Sequence, residues 1–226
     1  MRLHRFYVSQ PLGEEVVIED VPTIKQWLKV FRYTTGDSVI MFNGDGSEYT
    51  YTLQETSTTR CILTLSQKST AYIPKRKSYL FISVIKKDLF EFALEKAIEL
   101  GITDIIPIIT ERTEKKLLNY ERLTTIIKEA SEQSGRGDLL TLHETISLEK
   151  ACILASEKVS QENIFVATLF GKPLNETLAL KKGLTPGETT SIAFFIGPEG
   201  GWSDEEEALF EKQNVTRVSL GETTLR

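Results

Sequence analysis

Cysteine and histidine are nearly absent from this 226-residue sequence, with two of each. Cys61 and Cys152 stand far apart and in no ligand-like spacing, which excludes a disulfide framework and a zinc ribbon. Both are expected to be buried free thiols. With so few histidines and no ligand cluster, chemistry that needs a resident metal is not indicated. No run approaches the roughly 20 apolar residues that span a bilayer. The start, Met1 to Phe6, also lacks the apolar stretch of a signal peptide. The expected location is the cytoplasm, with no membrane partner, so the sequons at Asn175 and Asn214 and the Arg136-Gly137-Asp138 triplet read as chance matches. An excess of positive charge is missing too: Lys+Arg 27 against Asp+Glu 32 leaves −5. That excludes a blanket basic coat for nucleic acid but not a local basic face.

What is present changes character near residue 75. The first part holds short strand-like pieces, Tyr7 to Gln10, Glu15 to Ile18, Ser38 to Phe42, Glu48 to Leu53 and Arg60 to Leu65, with one helical piece over Pro22 to Phe31. Asn43-Gly-Asp-Gly46 is a hairpin turn, because tight hairpins require positive φ. Strands of this length predict a small barrel or sandwich. The stretch Ala71 to Lys77 is the linker.

Beyond it, strands and helices alternate. Strands are expected over Tyr79–Ile85, Ile102–Ile109, Ile164–Leu169, Ser191–Ile196 and Val215–Leu220. Helices are expected from Asp88 to Gly101, Asn119 to Ser134, Ser147 to Lys158 and Ser203 to Gln213, with capping boxes at Asp88/Glu91 and Ser203/Glu206. Near-continuous apolar strands between amphipathic helices mean an α/β domain with a covered parallel sheet. The first 75 residues are neutral, and the acidic excess gathers at Glu199, Asp204, Glu205, Glu206, Glu207 and Glu211. A helix start that favours negative charge is sufficient reason for Asp204 to Glu207. Basic residues cluster at Lys75-Arg76-Lys77, Lys86-Lys87 and Arg112 to Lys116.

Four segments carry chemistry. Gly197-Pro198-Glu199-Gly200-Gly201 joins a buried strand to a capped helix, and glycine turns at the carboxyl ends of parallel strands are where open α/β sheets bind ligands. It matches neither a dinucleotide fingerprint nor a triphosphate loop, and a plain tight turn is the alternative. Leu220-Gly221-Glu-Thr-Thr-Leu225-Arg226 is a second glycine turn after a strand. Glu132-Gln-Ser-Gly-Arg136 closes a helix, where a glycine stop with a dipole-satisfying arginine is the simpler reading. Lys96-Ala-Ile-Glu-Leu-Gly101 is followed by Glu111-Arg112.

In this order and separation the four resemble the bacterial ribosomal RNA uracil-N3 methyltransferases of the RsmE type, members of the SPOUT superfamily. Arg5-Phe-Tyr-Val8, Val30-Phe-Arg32, Gly36-Asp37 and Phe42 to Gly46 are similar to that family's opening domain, so the likeness runs along the whole chain. The resemblance implies a PUA-like β-barrel over residues 1–72 that binds RNA. It implies a SPOUT α/β methyltransferase domain over 73–226 with a C-terminal trefoil knot. It further implies S-adenosyl-L-methionine held in the knotted loops, a homodimer completing each site, and a uridine of 16S ribosomal RNA in the small subunit as substrate. One departure is Lys29 to Arg32, where family members often carry a histidine before the equivalent segment. A second is that the family pattern runs on past Leu225-Arg226, and a form ending there is expected to lose cofactor binding.

On that reading Leu169, Phe170, Ile196, Gly197, Pro198, Glu199, Gly200, Gly201, Leu220, Gly221 and Leu225 contact the cofactor, the glycines letting backbone approach its rings. Arg136, Arg226 and Arg112 are the catalytic candidates, because negative charge developing on uracil oxygens wants a fixed planar donor. Each has phosphate anchoring as its alternative. Arg5, Arg32, Lys75, Arg76 and Lys77 are expected on the RNA backbone.

Overall fold

The computed structural model describes residues 3–113, 117–179 and 189–221. They fall into two compact units, residues 1–73 with 128–139 and residues 74–127 with 140–226. These compact units differ from a single cut after residue 72 in placing 128–139 with the first part of the chain.

The first unit contains β1 (Arg5–Tyr7), β2 (Glu15–Ile18), α1 (Val21–Lys25), β3 (Ser38–Phe42), β4 (Ser47–Thr56) and β5 (Cys61–Thr70). Its sheet runs β1-β3-β4-β5-β2, with β1 parallel to β3 and the other pairs antiparallel. Alternating side chains such as Tyr49, Tyr51 and Leu53 enter one core with Phe6, Val39, Met41 and Trp27. In the turn between β3 and β4, Asp45 accepts the Ser47 amide at 2.9 Å and the Tyr49 hydroxyl at 2.6 Å. The helical piece has the expected extent, Val21 to Phe31, but only its first half is α-helical. Asp20 caps α1 by accepting the Thr23 amide at 2.9 Å, and a π-helical turn over Gln26–Phe31 follows. That turn ends at Arg32 with φ 57°, the left-handed region.

The first unit's second segment covers the edge of β1. Glu132 accepts the Tyr7 amide at 2.9 Å, Gly137 donates to the Tyr72 carbonyl at 2.8 Å, and Tyr72 pairs with Arg136 as an isolated parallel bridge.

The second unit is an α/β layer structure. Its elements are β6 (Ser78–Ser83), α2 (Lys87–Glu99), β7 (Asp104–Ile109), α3 (Tyr120–Ser134), β8 (Thr141–Leu142), β9 (Ile146–Ser147), α4 (Leu148–Lys158), β10 (Ile164–Pro173), α5 (Leu174–Ala179), β11 (Ile192–Ile196), α6 (Asp204–Lys212) and β12 (Thr216–Ser219). Residues from 128 onward in α3 belong to the first unit. The strands are all parallel, in the order β12-β10-β11-β6-β7-β8, with β9 also on β7. Pro107 explains why two short strands share one edge. It has no amide to give, and β8 pairs with Asp104 and Ile105 while β9 pairs with Ile108 and Ile109.

Helix starts follow the sequence at α4 and α6, where Ser147 and Ser203 accept capping amides, and Ser203 with Glu206 completes a reciprocal box. The box expected at Asp88 does not form. Lys86 is the N-cap and gives no side-chain bond, which leaves Asp88 inside the first turn, where its charge still suits the dipole. Both cysteines are buried and free. Burial, with Glu149 adding to it, pushes the Cys152 thiol up to about 11, far from reactivity. Among the described residues no helix is long and apolar enough to cross a membrane.

Candidate functional site

Parallel strands deliver their loops to one end of a sheet, and β12, β10 and β11 are neighbours. Their carboxyl ends bring together Leu220-Gly221, Leu169-Phe170 and Ile196 to Gly201. Leu225 and Arg226 lie outside the described residues.

The β10 segment is less regular than a simple strand end. After pairing with β12 at Phe165 to Ala167 it bulges, then pairs again at Lys172 and Pro173. Leu169 and Phe170 lie in the bulge with 76% and 96% exposure, and Leu220 is 46% exposed. Three large apolar side chains standing in solvent on two neighbouring strands are a costly arrangement unless something covers them. The Thr168 hydroxyl, buried and without a hydrogen-bond partner, is a polar group at the same place that sequence reading missed.

The glycine loop is built by its neighbours. Trp202 stacks edge-on to Phe210 at 4.8 Å, and Phe210 meets Phe195 of β11 at 5.4 Å, which ties the loop to the core of the sheet. The indole donates to the Ala167 carbonyl of β10 at 3.0 Å. A Cβ on Gly197 would come within 3.0 Å of that indole, so glycine is needed there for packing. Gly201 differs: its φ is +70°, and a Cβ would meet nothing within 4 Å, as at Gly221. Open space beside backbone at these two points fits the close approach of a flat ring. Pro198 is buried and Glu199 exposed.

Arg112 reaches this loop from the exit of β7, its Nη1 donating to the Gly200 carbonyl at 2.7 Å and to that of Trp202 at 3.1 Å. Its neighbour Glu111 donates its amide to Glu206 Oε1 at 2.8 Å, while Oε2 accepts the Ser203 amide at 2.9 Å. Glu206 is therefore more than a helix-start charge. Nothing local in the sequence signals this, because its second partner is 95 residues away.

Arg136 belongs to the first unit. It is 2% exposed, with Nε on Asp138 Oδ1 at 2.6 Å and Nη2 on Oδ2 at 3.2 Å. A bidentate, buried guanidinium at the Tyr72 bridge is a brace for that seam. The expected RNA contacts divide between the units. Arg5 is half-buried and pairs with Glu48 at 2.8 Å, and Arg32 is exposed. Lys75 is exposed and Arg76 half-buried, whereas Lys77 donates to Asp104 at 2.9 Å. Burial raises the Asp104 pKa, but hydrogen bonds with Lys77, His143 and Thr103 outweigh it and hold the carboxyl below its ordinary value. A separate cavity of about 280 Å³ lies among Ile85, Phe90, Leu117 and Leu123, and none of the sequence-derived candidates lines it. Among the described residues no group of three His, Cys, Asp or Glu gathers as a metal site would require.

A family model of an RNA methyltransferase domain matches residues 73–226. The ribosomal RNA small subunit methyltransferase E of Rickettsia conorii is 30% identical over 233 residues, covering 100% of this chain and 91% of that protein. The chain belongs to the ribosomal RNA small subunit methyltransferase E family. Another such methyltransferase, from Bacillus subtilis, is 29% identical, covering 92% of this chain and 86% of the relative. A crystal structure of the Neisseria gonorrhoeae methyltransferase E bound to S-adenosyl methionine superposes with a TM-score of 0.83 at 27% identity, covering 100% of this chain and 92% of that one. The second unit thus has the α/β fold of methyltransferase E proteins.

Proposed function

We propose that the chain is an S-adenosylmethionine-dependent methyltransferase acting on N3 of a uridine in 16S ribosomal RNA of the small subunit. The observation that carries this reading is the open backbone at Gly201 and Gly221 on strand ends flanking the exposed Leu169 and Phe170, in a member of the methyltransferase E family. The same reading takes residues 1–72 as a PUA-like RNA-binding barrel, the C-terminal chain as knotted, and the working enzyme as a homodimer.

The residues fit the cofactor. Ile196 to Gly201 and Gly221 offer backbone to its rings, and Leu169, Phe170 and Leu220 supply an apolar wall to which Leu225 is also assigned, with Thr168 able to donate. When bound, S-adenosylmethionine supplies an electrophilic methyl group that leaves by in-line displacement. The chain's own tasks are to hold the acceptor uracil in line and to stabilise the charge left on its oxygens as the N3 proton departs. Arg112 and Arg226 are assigned as donors to those oxygens, with Arg136 bracing the first unit. A paired uracil hides N3, so the base is taken out of its stack. Arg5, Arg32 and Lys75 to Lys77 are assigned to RNA phosphates.

The test is mass spectrometry of small-subunit ribosomal RNA from cells lacking this gene. One N3-methyluridine is expected to disappear and to return on complementation. Its persistence overturns the proposal and favours an assembly factor that binds RNA without catalysis.

A further inference from the structure

The two oxygens of Glu206 do different work. Oε2 closes the capping box on the Ser203 amide, which the helix alone accounts for. Oε1 accepts the Glu111 amide, which no cap requires. From the same dipeptide Arg112 grips the Gly200 and Trp202 carbonyls. In the sheet β6 lies between β7 and β11, so these bonds arch across the carboxyl end of β6 and join the β7 exit to the glycine loop. On the loop's other side the Trp202 indole holds the β10 carbonyl of Ala167. The loop is therefore fastened on both flanks, while the space beside the Gly201 Cα is left open and its amide donates to the Pro198 carbonyl at 2.9 Å.

We infer that Glu206, with Arg112, is a positioning residue that presets the Gly197–Gly201 loop for the cofactor. The inference rests on the proposed use of this loop for S-adenosylmethionine. It needs a carboxylate for a simple reason. Two backbone amides each take one oxygen, and an amide side chain has only one oxygen and would turn its NH₂ toward the second donor. Glu206 is 8% exposed, so water does not substitute freely for a lost bond. A preset loop matters because misplacing binding groups by about 1 Å costs on the order of a hundredfold in rate or affinity.

The experiment compares the full chain with its E206Q and R112K variants, using S-adenosylmethionine as the probe. The readouts are the KM for the cofactor and for RNA, kcat, the melting temperature, and hydrogen exchange of the 199–203 amides without ligand. E206Q is expected to raise the cofactor KM about tenfold, leave kcat and the KM for RNA within about twofold, and speed exchange of the loop amides. R112K, whose kcat is expected to fall because Arg112 is also assigned to the uracil oxygens, is read only in cofactor KM and loop exchange, where losing the guanidinium Nη1 that holds both carbonyls is expected to shift them the same way by less. Unchanged loop exchange in E206Q overturns the inference, as does a fall of kcat and melting temperature with the cofactor KM unmoved. If the wild-type chain binds no S-adenosylmethionine, the underlying reading fails instead. Loop exchange then still decides whether Glu206 sets the loop.

Discussion

The carboxylate of Glu132 accepts the Tyr7 amide at the edge of β1, and burial raises its pKa above the ordinary 4.5 despite that bond and the nearby Lys128. A carboxyl whose folded pKa is raised favours the protonated chain. Its contribution is intact below the unfolded value and is lost as pH rises through the folded one. Glu132→Gln keeps an oxygen for the Tyr7 amide and carries no charge. Urea unfolding of wild type and variant at pH 4 and pH 7.5 is expected to show the variant gaining relative stability at the higher pH. A variant that loses ground at pH 7.5 would mean that the ionised group is well served where it sits. Arg136 illustrates the limit of reading single residues. Its sequence context shows a glycine stop and a basic residue at a helix end, but not the Asp138 fork or the Tyr72 bridge that bury it.

Elements whose signals are local were legible, and those made by distant partners were not. The Ser203 box, the Asn43 to Gly46 turn and the near-continuous apolar strands could be read directly, because cap, turn and period are written within a few residues. The strands β8 and β9 have two residues each, too few for a period, and exist only because β7 offers an edge interrupted at Pro107. Likewise the glycine loop stands out in the sequence as a candidate site, while its fastening by Glu206 and Arg112 does not. The bulge of β10 belongs to the same class. Gly171 has no special local pattern, yet a Cβ there would run into the Val218 backbone of β12. Backbone cannot rotate away as a side chain can, so Gly171→Ala must push the two strands apart. The expected destabilisation is about 1–3 kcal/mol or more, measured as a lower midpoint in urea unfolding. Because Leu169 and Phe170 sit in that bulge, cofactor affinity is expected to fall with it. An alanine variant with wild-type stability would show that the β10–β12 register shifts at no cost.

At the scale of the molecule, the change of sequence grammar near residue 75 marks where one kind of structure gives way to the other, but the chain does not divide there once and for all. Residues 128–139 belong with the first unit. They supply the Glu132 bond to β1, the Gly137 bond to Tyr72 and the Arg136–Asp138 pair, and a Cβ on Gly137 would collide with Ala71. A fragment of residues 1–73 loses all of these and exposes the amide edge of β1, a template for association. It is expected to unfold without a sharp transition or to self-associate. The Tyr72–Arg136 bridge brings residue 73 close to residue 137, and the helical run from residue 134 back to residue 128 rises about 9 Å, with three more residues to cross. A Gly/Ser linker of roughly eight residues has an r.m.s. reach of about 15 Å, so 1–73 joined through it to 128–139 restores the seam without strain. That linked chain is expected to melt cooperatively and stay monomeric in thermal unfolding and sedimentation measurements. If residues 1–73 alone melt as sharply and as high, the returning segment is packing on a unit that is already complete.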